Sequence, residues 1–380
     1  MSWLSRAPSG APRLLRRALL GASLLLAATL PVTAQPRTIT DAAGRQVTLA
    51  GPAQRVVLGF YFEEFAAIVG PGAFDRVVGI SRALWAGWRT GSWAAYTAVI
   101  PRIATLADVG TTDDNSFSAE KVIALDPDLV ILPLWTSTAI PEAMAQFERL
   151  KIPVLVVDFN AQTVERHVAS TLAIGAAMGT EARAQELASW YSEGIADIMR
   201  RIAAAPSGPK RRVYVELGQA GPATVGNSYQ GTMWGRVITS LGAENVADGK
   251  LPGPWGPVNP EAVLSANPDV VIFAGSSWAN RPNAVRTGFG SNLAMTRATL
   301  APYAARPGWA GITAVQKGDV YAVEHGLGRS LYDLAAIQFF AKAIYPEQFA
   351  DVDPEATLRT YFERWLPVKL DGTWMARLAP

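Results

Sequence analysis

The period of the hydrophobic pattern changes along the chain. From Arg37, "RTITDAAGRQVTLAGPAQRVV" alternates apolar and polar positions about Ala43-Gly44. That two-residue period predicts an antiparallel hairpin. Short, β-branched, continuously apolar runs follow: Arg55 to Gly59, "VVGIS" from Val77, "DLVIL" from Asp128 and "VLVVD" from Val154. Strands buried on both faces of a parallel sheet carry such runs, and helix-period segments separate them here. The least interrupted helical segment, Thr163 to Ala204, is weakened only near Gly179-Thr180. It predicts either one helix of about 63 Å, at 1.5 Å per residue, or two helices meeting at Gly179. "PSGPKRR" ends it, and a second set of runs begins: "RVYVEL" from Arg212, "DVVIF" from Asp269 and "DVYAV" from Asp319, then a helical tail from Leu331 to Leu366. The pattern predicts an α/β protein with one lobe over 35–161, a bridge over 162–205 and a second lobe over 206–380.

The two sets share a repeated segment. "SAEKVIALDPDLVIL", Ser118 to Leu132, returns as "NPEAVLSANPDVVIF", Asn259 to Phe273. Glu120 matches Glu261, Pro127 matches Pro268, and Asp128 matches Asp269. Ser118 and Asn259 suit helix N-caps and Pro260 a first helical position, so each copy predicts a capped helix, a Pro-Asp turn and a core strand. Two such lobes leave one cleft between them, and α/β proteins bind ligands at the carboxyl ends of parallel strands. One ligand per chain, bound without chemistry, is expected.

Composition changes the picture at the amino terminus. Arg6, Arg13, Arg16 and Arg17 precede an apolar stretch from Ala18 to Leu30 and the small-residue pattern Val32-Thr33-Ala34. This predicts a signal peptide over 1–34, cut after Ala34, and a periplasmic protein. Of 34 basic residues four leave with the signal, so 30 remain against 32 acidic ones. A near-neutral surface gives no reason to expect nucleic acid as a partner. The sequence has no cysteine, so stability must come from packing, and no lipid anchor on cysteine is expected.

Taken together, "ITDAAGRQVTLAGPAQRVV", "VGTTDDNSFSAEKVIALDPDLVIL", "VNPEAVLSANPDVVIF" and "WAGITAVQKGDVYAVE" resemble the periplasmic solute-binding proteins of ABC importers for ferric siderophores, haem and cobalamin. The likeness covers nearly the whole chain after the signal. It implies two Rossmann-like lobes with mostly parallel sheets joined by a long bridging helix, with small opening motions. It implies a monomer that captures an iron chelate, without a cofactor of its own, and delivers it to a membrane permease. Other members take up cobalamin or oxyanions such as molybdate. The resemblance also gives Glu120 and Glu261 a role in docking onto permease arginines. A glutamate in a helix's first turn is equally what the helix dipole favours.

Candidate ligand-binding residues cluster past predicted strand ends. "GFYFEE" supplies Phe60 and Tyr61; "RALWAGWRTGSW" supplies Trp85, Trp88 and Arg89; Trp135 and Trp278 follow the repeated strands. Tyr229, Trp234 and Trp255 lie in the second half, and "VEHGLGRS" adds His325 and Arg329. Flat aromatics suit a planar or catecholate ligand, and arginines suit its anionic groups. Of the two histidines, His167 falls in the bridge and is expected to be structural or exposed. His325 reads as a loop histidine near the cleft or as an iron ligand. Capture of bare zinc is disfavoured, since no histidine or cysteine cluster exists. A secreted enzyme is the rival reading. It lacks support, because no G-x-S-x-G elbow, H-E-x-x-H or P-loop is present and bulky "FYFEEF" stands where a phosphate loop would be.

Overall fold

The structure, a computed structural model, describes residues 36–378; the predicted signal peptide lies outside the described residues. Arg37–Thr40 and Gln46–Leu49 pair antiparallel, as the alternation predicts. Gly44 takes φ 78°, and the Asp41 carboxylate accepts the Ala43 and Arg45 amides at 2.9 Å. The apolar runs then build two sheets. The first is wholly parallel, in the order Ala107–Asp108, Val77–Ile80, Val56–Leu58, Leu129–Pro133, Val154–Val157. The second runs Glu244–Asn245, Arg212–Leu217, Val270–Gly275, Val320–Glu324, Met375–Arg377, and only the last strand is antiparallel. Each sheet carries one lobe.

The repeat has a physical basis in how each lobe's first strand is held. Asp126 and Asn267 occupy matching positions and both adopt left-handed backbone, φ 47° and φ 45°. Aspartate and asparagine tolerate that conformation better than most residues. The chain then turns through proline to an aspartate that clips the neighbouring strand. Asp128 accepts the Gln54 and Arg55 amides, each at 2.8 Å, and Asp269 accepts the Arg212 amide at 2.8 Å. Arg55 and Arg212 in turn donate to carbonyls of the capped helices, Leu125 O at 2.6 Å and Ala266 O at 2.7 Å.

The Thr163–Ala204 segment is not one helix. Val164–Met178 ends at Gly179, φ 73°, and Glu181–Ala203 folds back against it. Gly175 faces Ala184 and the His167 ring lies 5.4 Å from that of Tyr191, so the pair is an antiparallel hairpin. The bridge is therefore the 23 residues of Glu181–Ala203, about 35 Å long. Near its start Arg183 donates to Ala67 O of the Phe62–Val69 helix at 2.6 Å. Near its end Gly194 packs on Leu334 and Arg201 pairs with Asp351 at 2.8 Å. Leu187, Tyr191 and Ile198 join one apolar cluster that runs from Val56 in the first sheet to Val215 in the second. Among the described residues no helix is long and apolar enough to cross a membrane.

This packing yields two predictions. A Cβ on Gly175 would sit 2.3 Å from Ala184 Cβ. Gly175→Ala should therefore lower stability by about 1–2 kcal/mol, overpacking outweighing the helix-propensity gain, as read from denaturant unfolding. An unchanged or raised midpoint would refute the close hairpin.

The second concerns buried acid. Glu64, on the Phe62–Val69 helix, has both carboxyl oxygens buried without hydrogen-bond partners among the described residues. Burial, and next the neighbouring Glu63, push its pKa up from 4.5 to about 8. Burial holds His167 down, from 6.5 to about 4. Both groups are favoured neutral in the fold, with opposite pH signatures. Glu64's contribution is complete below about 4.5 and fades as pH rises to about 8. His167's is complete above about 6.5 and fades as pH falls to about 4. Glu64→Gln should thus flatten the loss of stability between about pH 5 and pH 8; parallel curves for variant and parent would show that another group titrates.

Candidate functional site

The order of the first sheet reverses beside Val56–Leu58, and that of the second between Arg212–Leu217 and Val270–Gly275. Crevices open at such switch points beyond the carboxyl ends of strands. Residues just past these strands, from both lobes, line one cavity of about 670 Å³, within the roughly 300–1,000 Å³ of small-molecule sites. Trp88, Asp113, Trp135 and Asn160 come from the first lobe; Gln219, Tyr229, Met233, Trp255, Trp278, Arg281, His325 and Arg329 come from the second. On its floor Thr232 Oγ1 donates to Asn160 O at 3.0 Å, tying one lobe to the other.

An aromatic shelf forms one wall. Phe60 is buried behind it, edge-on to Trp135 at 5.1 Å and Trp88 at 6.3 Å. Tyr61, with left-handed backbone at φ 56°, packs on Trp135 at 5.6 Å and accepts the Phe159 amide at 3.1 Å. Trp255 stands at the mouth, 56% exposed, on an antiparallel ribbon of Asn227–Tyr229 and Trp255–Pro257 outside the main sheets.

Arg329 is the unusual charge. Its side chain is buried, with the guanidinium carbon 5.4 Å over the Phe60 ring and 5.5 Å over Trp88. Arg89 and Arg306, also buried, each hold a carboxylate. Arg329 holds none among the described residues, and its Nε lacks any partner. Burial first, then the nearby Arg89, lower its pKa. A buried cation that rests on aromatic faces, with no salt bridge among the described residues, keeps N–H groups free for an incoming anion.

His325 is fixed from behind. Trp234 Nε1–H donates to its Nδ1 at 3.2 Å, and Trp234 stacks on Phe340 at 5.2 Å. Burial, then Arg329 and Arg89, hold its pKa well below the usual value, so the ring is neutral. With Nδ1 accepting, the proton must reside on Nε2. His325 thus offers a ligand a donor. A metal-ligating histidine needs the reverse arrangement, in which its second nitrogen donates to an acceptor.

Some expected residues lie elsewhere. Trp85 is in the lobe core, stacked on Phe62 at 4.4 Å with its indole N–H on Ser92 Oγ at 3.1 Å. Arg89 turns from the cavity to bond Glu63 at 2.8 Å. Phe60, Tyr61 and Trp234 stand behind the lining instead of forming it. His167 is buried, its Nε2 2.8 Å from Phe159 O. Asp113, Met233 and Arg281 line the cavity without having been expected. Arg281 was findable, being three residues past Trp278. Asp113 lies in a single 3-10 turn, Thr112–Asp114, and Met233 opens the helix Met233–Ser240; the pattern does not reveal that either one faces the cleft. Glu120 and Glu261 are exposed in the first turns of capped helices, and the Ser118 hydroxyl bonds Glu120 at 3.0 Å.

This architecture has known counterparts. A family profile for periplasmic binding proteins matches residues 57–325. The crystal structure of the TroA-like periplasmic binding protein FepB from Veillonella parvula superposes with a TM-score of 0.85 at 35% identity, covering 90% of this chain and 100% of that one. An uncharacterized ABC transporter substrate-binding lipoprotein of Bacillus subtilis, YvrC, is 24% identical over 83% of this chain and 88% of its own. The vitamin B12-binding protein of Salmonella typhimurium is 30% identical over 48% of this chain and 64% of its own. The chain belongs to the periplasmic binding protein family, as a substrate-binding protein of an ABC transporter that binds a transported ligand and carries no cofactor.

Proposed function

We propose that this protein captures an anionic iron chelate, a ferric siderophore in preference to haem, in the cleft between its lobes and delivers it to an ABC permease. The observation that carries this reading is Arg329, buried on aromatic faces with no salt-bridged carboxylate among the described residues. Arg281 adds a second cation at the rim, against the single carboxylate of Asp113 among the lining groups named above. Trp88, Trp135, Tyr229, Trp255 and Trp278 supply flat surface for catecholate rings. The tautomer of His325 favours a chelate whose iron is already fully coordinated, because its Nε2–H donates to ligand oxygen and does not bind iron. A bare oxyanion, the size of a few waters of about 30 Å³ each, would leave most of the cavity unfilled. The protein acts in the periplasm, released after Ala34, and binds without catalysis.

The measurement is absorbance and native mass spectrometry of protein purified from its own periplasm. One ferric-catecholate ligand per chain is expected; a haem or corrin spectrum would overturn the assignment. For added ferric tris-catecholate, Arg329→Gln should weaken binding about tenfold to a hundredfold, the value of a charge-assisted hydrogen bond. Affinity within twofold of the parent would remove Arg329 from the site.

Docking is proposed through Glu120 and Glu261, which present one exposed carboxylate on each lobe. Charge pairs set register and on-rate across an interface. Reversing both to Arg should leave catecholate affinity within about twofold but abolish most uptake into cells, with each single reversal intermediate. Wild-type uptake by the double variant would reduce both to helix-start residues.

A further inference from the structure

A second, much smaller cavity, about 20 Å³, lies apart from the ligand cleft. Glu63, Arg89 and Ser92 approach it from the first lobe, and Ser276, Thr287 and Glu324 from the second. All six side chains are buried. The lobes meet directly beside it: Thr90 Oγ1 donates to Ser277 O, and the Ala279 amide to Gly87 O at 3.2 Å. Glycines permit the approach. A Cβ on Gly91 would fall 2.7 Å from Phe289 O, and one on Gly326 would fall 2.6 Å from the Glu324 carboxylate and 3.2 Å from the Arg89 guanidinium carbon.

Each lobe satisfies part of its own chemistry. Arg89 Nη1 donates to Glu63 at 2.8 Å, Ser92 Oγ to Glu63 at 2.6 Å, and Ser276 Oγ to Glu324 at 2.8 Å. What remains unmade faces the gap. Arg89 Nε and Nη2 and Thr287 Oγ1 are buried without partners among the described residues. A site needs room of about 10–15 Å³ and two to four polar partners to hold a water, and this one has both. Its charges select against other occupants. The free guanidinium N–H groups repel a cation, and the two carboxylates repel an anion. A water accepts from Arg89 and donates to Glu324 or Thr287.

We propose that this cavity holds one ordered water that completes an Arg89–water–Glu324 bridge and locks the first lobe to the second. Glu324 heads the segment that carries His325 and Arg329 to the cleft, so the lock also sets their position. This inference is independent of which ligand the cleft takes.

Two measurements on the purified, unliganded protein test it. A high-resolution crystal structure should show one water within about 3 Å of both Arg89 and the Glu324 carboxylate. A dry cavity, or a soaked rubidium ion there by anomalous scattering, overturns the proposal. Glu324→Gln keeps the shape and removes the charge. It should raise amide hydrogen exchange at Ala279 and across Arg89–Trp93 about tenfold or more, with the Val154–Val157 strand unchanged. If that variant does not fold, Thr287→Val carries the test, with an expected rise of about two- to tenfold at the same amides. Seam exchange equal to the parent's in the folded variant refutes the lock.

Discussion

Everything else in this molecule depends on the apolar cluster that crosses from one sheet to the other through the Glu181–Ala203 helix. Leu187, Tyr191 and Ile198 of that helix pack in the same cluster as Val56 and Val215, one from each sheet. Opening the cleft widely would tear this cluster and expose buried area at about 25 cal/mol per Å². Hinge closure on the scale of a strand-linked binding protein is thereby disfavoured, and the cavity is largely preformed. A preformed cavity must carry its selectivity in fixed side chains, which explains why its arginine is held by aromatic faces and its histidine by a buried indole.

Three buried arginines show how context decides what the same group does. Arg306 is neutralised bidentately by Glu216, at 2.7 Å for each bond, and fastens the second lobe internally. Arg89 is half satisfied by Glu63 and lies at the seam. Arg329 forms no salt bridge among the described residues and faces the cleft. The gradient from paired to bare runs from scaffold to site. It accords with the rule that a buried charge without an acid needs a partner from elsewhere.

The central strands were legible because each is a continuous apolar run, and continuous runs identify strands buried on both faces. Ala107–Asp108 and Met375–Arg377 were not, since two or three residues form no pattern. Gly179 signalled a weak point in the long helical segment, but the close pairing of Gly175 with Ala184 is a tertiary fact that no local period encodes. At the site, placement past strand ends led to Trp88, Trp135, Trp278, His325 and Arg329 on the cavity wall. The same rule failed for Trp85 and Arg89 because Phe62 and Glu63, remote in sequence, claim them. Position along a strand predicts which end a side chain is near; only its partners decide which way it turns.

The shared cluster also shapes how the chain becomes a protein. Arg183, from the bridging helix, donates to Trp365 O near the carboxyl terminus as well as to Ala67 O near the amino terminus. Contacts of such long sequence separation must wait for nearly the whole chain, and domains dominated by them fold slowly. The bridging helix, emerging before the second lobe, would expose the Gly194 face that Leu334 later covers. Slow, late folding suits a member of the periplasmic binding protein family, since a chain that has not yet collapsed can still be threaded through a membrane.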